Sequence, residues 1–343
     1  MYIETSFIKK IKKLTYQKVK YLLWTYFVLK KLKNTWIYFY LYRSFWHSVL
    51  NLNFNNISKN QKNYMSIDVD PGAGIGHQLA NYNSAIWYAK KFNLIHAHTS
   101  FPNKKWEKLL GFNYSTICLE NLLNKGYKNI RLPIFKEKDL IEISKIKKII
   151  HSYRDQKIIF FLEYNQGYTK QYQVAEILKE KFFSSKKRSK DKLIYNIKDF
   201  NIAVHIRAGD IMNNEKLINK RFLDINYFIK TINESLSIIK TPKKKKIHIF
   251  SGSKLDSFSK LTNFKNIKFC HNLNQYKTFL HFVYADLLIT SKSSFSYKAA
   301  LISKGIKVSP KNFWHGYPYN DKKWILTSAN GKFIKKTNKI TIK

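Results

Sequence analysis

The sequence predicts an α/β protein of two lobes, each built on a parallel sheet, facing one another across a cleft and preceded by a basic, aromatic helical segment. Two observations predict it. From Tyr64 onward, short β-branched or aromatic runs alternate with segments whose apolar residues recur at helical spacing, and such alternation makes parallel sheets covered on both faces. The alternation occurs twice, over residues 64–192 and 193–343, with a charged linker, Ser184 to Lys192, marking the boundary. A chain of 343 residues can bury two cores, and 44% hydrophobic with 16% aromatic residues excludes wholesale disorder.

Residues 1–63 form the basic aromatic segment and its linker. Aromatic clusters such as Tyr21 to Phe27 and Trp36 to Tyr40 alternate with lysine pairs. The longest apolar run is about half of the roughly 20 residues that span a bilayer, so the segment reads as interfacial. Rings at headgroup depth and lysines on anionic lipid would attach it peripherally to a membrane surface. The competing use is as helices packed on the core or between subunits. Cys118 and Cys270 have neither disulfide nor metal spacing, which fits a cytoplasmic, reducing location.

The net charge of +42 invites a nucleic-acid reading, but removing residues 1–50 still leaves +33. The excess is spread over the chain, so no specific nucleic-acid partner is expected. The run Lys243 to Lys246 reads as a solvated turn before a strand.

In order, the elements are a strand at Met65 to Val69, a glycine-rich turn, a helix from about His77 to Phe92 and a strand at Leu94 to His98. A strand at Ile158 to Leu162 and a helical stretch at Tyr168 to Phe183 complete the first lobe. The second lobe has strands at Ile202 to Ile206, Ile247 to Phe250, Ile267 to Phe269 and Leu287 to Thr290. Its helices are Ile225 to Ile239, Asn274 to Tyr284 and Ser294 to Ser303.

Three motifs carry chemistry. In Val204-His205-Ile206-Arg207-Ala208-Gly209-Asp210, Arg207 stands at the carboxyl end of a strand, where ligands collect in open α/β sheets, and offers a planar fork of donors to phosphate. His205 lies on the same side of the strand, placed for a base or ribose. In Thr290-Ser291-Lys292-Ser293-Ser294-Phe295, a polar turn opens a helix whose free amides make an anion site. In Asp70-Pro71-Gly72-Ala73-Gly74-Ile75-Gly76-His77-Gln78, the glycines permit close approach to a sugar or phosphate. A dinucleotide fingerprint is disfavoured there, because His77 replaces the last glycine and no acid follows the second strand.

Together, "GAGIGHQLANYNSAIWYAKKFNL", "VHIRAGD" and "ADLLITSKSSFSYKAAL" resemble the α-1,2-fucosyltransferases of glycosyltransferase family 11 and, more distantly, the α-1,6- and protein O-fucosyltransferases, over about Ile67 to Pro310. The resemblance implies a GT-B-like fold of two facing Rossmann-like lobes, with residues 64–192 on the acceptor side and 193–343 binding the donor. It implies GDP-fucose as donor, a glycan acceptor, inversion at the anomeric carbon, and no cofactor or metal. Carried over by position, Arg207 matches the arginine on the donor β-phosphate and His205 the nucleotide-contacting histidine. Ser293, Ser294 and Phe295 match the serine-rich phosphate turn, while Gly74, Gly76 and Gln78 match the glycine-rich loop. The chain departs from the pattern at Ala208, where a second arginine is usual, at His77, where asparagine is usual, and at Tyr297-Lys298, where two aromatics are usual.

Displacement at the anomeric carbon needs a base for the acceptor hydroxyl. His77 and Asp210 are the candidate catalytic residues, with Asp68 and Asp70 as rivals. The alternatives at this point are a transferase of the same fold using another nucleotide sugar and a non-catalytic, membrane-associated glycan-binding protein.

Overall fold

The computed structural model describes residues 23–50, 62–114, 116–164, 166–208, 215–252, 255–335 and 338–342. Among them, four strands, β1 (Tyr64–Ile67), β2 (Ile95–His96), β3 (Lys128–Arg131) and β4 (Ile158–Leu162), make one parallel sheet in the order β2-β1-β4-β3. The chain continues through β5 (Asp199–Ile206), β6 (Ile239–Lys240), β7 (Lys244–Ser251), β8 (Ile267–Phe269), β9 (Leu287–Ile289), β10 (Ile306–Pro310), β11 (Trp324–Thr327) and β12 (Ile340–Thr341). Six of these form a second parallel sheet, β11-β10-β9-β5-β7-β8, while β6 pairs with β12 beside it. The protein is therefore α/β, with two parallel sheets and covering helices in a Rossmann-like arrangement.

The strand order creates two crevices. From β5 the chain winds to β7 and β8 on one side, then crosses to β9, β10 and β11 on the other, so winding reverses between β5 and β9. Loops leaving the carboxyl ends of such a pair diverge and open a binding crevice. In the first sheet the reversal falls between β1 and β4.

Alternation along β5 sorts its side chains. Ile202, Val204 and Ile206 are buried with Phe228, Ile232 and Ile249 on one face. Ala203 joins the core on the other face with Phe250, Phe282 and Tyr297. That second core is continuous with the first lobe. Trp106, from the helix Lys104–Leu110, packs on Tyr276 and Phe279, with ring centroids 4.6 and 5.4 Å away. Buried Lys298 donates from Nζ to Gln171 Oε1 at 2.6 Å, and Gly316 N donates to Thr169 O at 3.1 Å.

Three expectations are corrected. The Ser184 to Lys192 stretch is a docked strap, with a 3-10 turn at Lys186–Lys190 and the Arg188 guanidinium 3.9 Å from the Phe182 ring centroid. The cation over that ring and the Arg188 Nη2 bond to Leu109 O dock the charged stretch on the first lobe. Lys244, Lys245 and Lys246 lie inside β7, and Lys245 Nζ donates to Leu236 O and Ile239 O, so its ammonium holds the end of a helix. Lastly, residues 1–22 and 51–61 of the amino-terminal segment and its linker lie outside the described residues, while the stretch 23–50, helical at Trp24–Leu32 and Arg43–Leu50, buries Tyr38, Phe39 and Tyr42 against the first lobe and so takes the packing use on that side. Among the described residues, no helix is long and apolar enough to cross a membrane.

Candidate functional site

The β5–β9 crevice holds a cleft of about 450 Å³ lined by residues of both lobes: Gly74 to His77 from the first, and His205 to Ala208 and Ser293 to Phe295 from the second. Its wall is held by hydrogen bonds between the two strand exits. Arg207 N donates to Ser291 Oγ at 2.9 Å, and Ser291 Oγ donates to His205 O at 2.8 Å. Arg207 Nη1 donates to Ser293 Oγ at 3.0 Å, which aims the guanidinium at the start of the following helix.

Two helices begin at this cleft. Ile75–Lys91 starts after Gly74, and Ser294–Ile302 starts after Ser293. Neither has an acid in its first turn or a side-chain cap, so each amino terminus presents bare amides and roughly half a positive charge. In the second helix the first backbone bond is Tyr297 N to Ser293 O, 3.0 Å, which leaves the amides of Ser294, Phe295 and Ser296 ahead of the ladder. The two termini touch: a Cβ added to Gly76 would lie 2.7 Å from the Ser294 carbonyl carbon and 2.8 Å from Phe295 N. Only glycine permits that approach.

His205 packs on Phe282 and Phe295, at 5.1 and 5.9 Å between ring centroids. Burial, with Arg207 beside it, pulls its pKa down to about 3, so the imidazole is neutral near pH 7. Its buried Nδ1 has no hydrogen-bond partner among the described residues.

Most of the residues singled out from sequence thus come together: Gly74, Gly76, His77, His205, Arg207, Ser293, Ser294 and Phe295 line one cleft. His77 is exposed there, in the first turn of its helix. Gln78 has another place. It is buried, and its Nε2 donates to Asp70 O and Ala73 O at 3.1 and 2.9 Å, so it braces the glycine turn from behind. Asp210 and Gly209 lie outside the described residues. Asp70 accepts from Gly72 N at 2.9 Å, and Asp68 pairs with Arg131 at 2.6 Å.

The cleft also contains residues no motif flagged. Arg221, at the end of the helix Glu215–Arg221, lines it with its guanidinium 4.7 Å from the Trp314 ring centroid. Gly252, at the exit of β7, and Gln275 complete the wall. Behind it, His315 Nε2 accepts from Trp314 Nε1 at 3.1 Å and lies 3.2 Å from Ser294 Oγ, with its ring stacked on Tyr297 at 4.5 Å. Burial, with Lys298 and His77 nearby, holds the His315 pKa at about 2, so the imidazole stays an acceptor. No acidic side chain lines the cleft among the described residues. Chemically, the arrangement suits a ligand with clustered negative charge.

No protein-family model matches the chain, and no curated protein matches it. Solved structures similar to it include the fucosyltransferase NodZ from Bradyrhizobium, at 12% identity over 71% of this chain and 94% of that one, TM-score 0.42. POFUT1 in complex with GDP aligns at 12% identity over 72% and 98%, TM-score 0.42. A point variant of Arabidopsis thaliana FUT1 in complex with GDP aligns at 10% identity over 77% and 74%, TM-score 0.44. At these identities and scores the likenesses carry no functional weight, which falls on the chain's own cleft and motifs.

Proposed function

We propose that the cleft binds the diphosphate of a nucleotide sugar and that the chain is a glycosyltransferase, transferring fucose from GDP-fucose to a glycan hydroxyl with inversion. One observation supports the diphosphate part above all: Arg207, Arg221 and two uncapped helix amino termini meet at one crevice. The identity of the sugar and base rests on the sequence resemblance. In this reading Arg207 and the amides after Ser293 hold the β-phosphate. Arg221, steadied on Trp314, supplies the second cation that Ala208 does not.

In the reaction, the acceptor oxygen bonds to the anomeric carbon as that carbon's bond to the β-phosphate oxygen breaks. GDP departs with the electron pair, and the hydroxyl proton passes to a base. The cations and amides are fixed before charge develops on the leaving phosphate, which is how such sites lower a barrier. His77, exposed on the first-lobe side of the cleft, is the base in this scheme.

The test is turnover. Protein with EDTA and a pool of glycan acceptors is given GDP-fucose, GDP-mannose, UDP-galactose or ADP-glucose in turn, and released nucleotide is measured. Release of GDP from GDP-fucose alone is expected. Release of UDP or ADP instead would assign a different donor. His77→Ala should lower turnover by about 100-fold, the usual worth of a general base, with GDP affinity retained. Activity within a few-fold of wild type removes His77 from the role.

A further inference from the structure

Residues 23–50 carry two unlike faces. The inner one is bolted to the carboxyl edge of the first sheet. Trp24 Nε1 and Tyr42 Oη each donate to Glu163 Oε1 at 3.3 Å, Ile134 N donates to Tyr38 Oη at 3.0 Å, and Ser44 Oγ donates to Arg131 O at 2.8 Å. The His47 ring stacks on Tyr153 at 3.7 Å. These bonds fix the segment beside the β1–β4 crevice and so fix the direction of its other face.

That outer face is apolar and basic. Trp36 is 83% exposed and Leu50 74%, with Phe27, Tyr40 and Trp46 each more than two-fifths exposed. Nine of the nineteen exposed large apolar side chains among the described residues fall in this short stretch, a concentration that scattered surface hydrophobics do not produce. The stretch contains no Asp or Glu, while Lys30, Lys31 and Arg43 are exposed on it. Lys30 Nζ lies 5.8 Å from the Tyr26 ring centroid.

Charge selects the occupant. A second copy of a chain bearing +42 would bring like charges together. A bilayer with anionic headgroups attracts the lysines and takes the indole and phenol rings at headgroup depth. We infer that residues 23–50 form a docking face for an anionic lipid bilayer, holding the amino-terminal lobe against the membrane surface. The lipid contact stands independently of the donor reading. Only its corollary, an acceptor presented from the bilayer, rests on that reading.

The experiment is co-sedimentation of the full chain with vesicles of phosphatidylcholine alone or mixed with phosphatidylglycerol, at low and high salt. Wild type should sediment with the anionic vesicles and lose most of that binding at high salt, as screening shortens the attraction. The triple variant Phe27→Ser, Trp36→Ser, Leu50→Ser, none of whose residues touches Glu163, should bind at least about tenfold more weakly while keeping its melting curve. Should it fail to fold, Lys30→Glu with Lys31→Glu decides, with a similar loss expected. Unchanged sedimentation of the folded variant, or a wild type indifferent to anionic vesicles, overturns the inference. So does a dimer that the triple variant converts to monomer. GDP titration of the same samples separates this outcome from failure of the donor reading.

Discussion

Each of the two larger sheets reverses its winding once, and the two resulting crevices are lined in opposite ways. At β5–β9 the strand exits carry Arg207 and a serine turn, Arg221 reaches in from a following helix, and no acid lines the cleft among the described residues. At β1–β4 the exits carry Asp68 and Glu163, with Arg131 from β3 bridging both at 2.6 and 3.0 Å and the Trp24–Tyr42 pair packed on top. Among the described residues one crevice is lined by two arginines and two helix amino termini; the other pairs Arg131 with Asp68 and Glu163 and is covered by the chain's own amino-terminal segment. Topology supplies a crevice in both lobes, but the side chains at the strand exits decide whether it suits an anion.

The comparison predicts effects of graded size. The largest belongs to Arg207→Ala, which removes charge-assisted bonds worth about 1.5 to 3 kcal/mol each and should weaken GDP by about 100-fold in calorimetry. Arg221→Ala should weaken it by about tenfold, since that cation is shared with Trp314. If Arg221→Ala leaves GDP affinity unchanged, the second cation of the crevice lies elsewhere.

A separate effect, on stability rather than affinity, distinguishes the crevices by pH. His205 and His315 are held neutral by burial, with pKa values near 3 and 2 against 6.5 when unfolded. The unfolded chain therefore binds more protons, and stability is lost as pH falls below about 6.5, by up to about 1.4 kcal/mol per unit for each group. Glu163 behaves oppositely. Burial raises its pKa above 4.5 despite Arg131, so the native state holds the proton longer, and its contribution falls as pH rises upward from 4.5. Urea melts across pH should show the first slope in wild type and in Glu163→Gln alike, with the second slope absent from the variant.

Much of the second lobe was legible because its strands are short, apolar and punctuated by capped helices. Ile267–Phe269 and Leu287–Ile289 fall where the pattern put them, and Asn274 caps Gln275–Tyr284 through Lys277 N. β3 was missed because Lys128-Asn129-Ile130-Arg131 is a half-exposed edge with no apolar run, held by pairing with β4. The helices Lys104–Leu110 and Leu140–Ser152 were also missed, although Asn103 and Asp139 cap them. In the cleft, motif residues were legible through their spacing along two strand exits. Arg221, Gln275 and Trp314 were not, because distant stretches of chain bring them there without any local pattern. Gln78 sits inside a motif and yet faces away from the cleft, since bracing a turn and binding a ligand leave the same trace in sequence.

The central claim, that the β5–β9 crevice is built for a diphosphate, is tested most directly by calorimetric titration of GDP and guanosine against wild type and Arg207→Ala. Wild type should bind GDP far more tightly than guanosine, and the mutation should collapse the difference. Equal binding of the two by wild type, or a preference for GDP that survives the loss of Arg207, would contradict it.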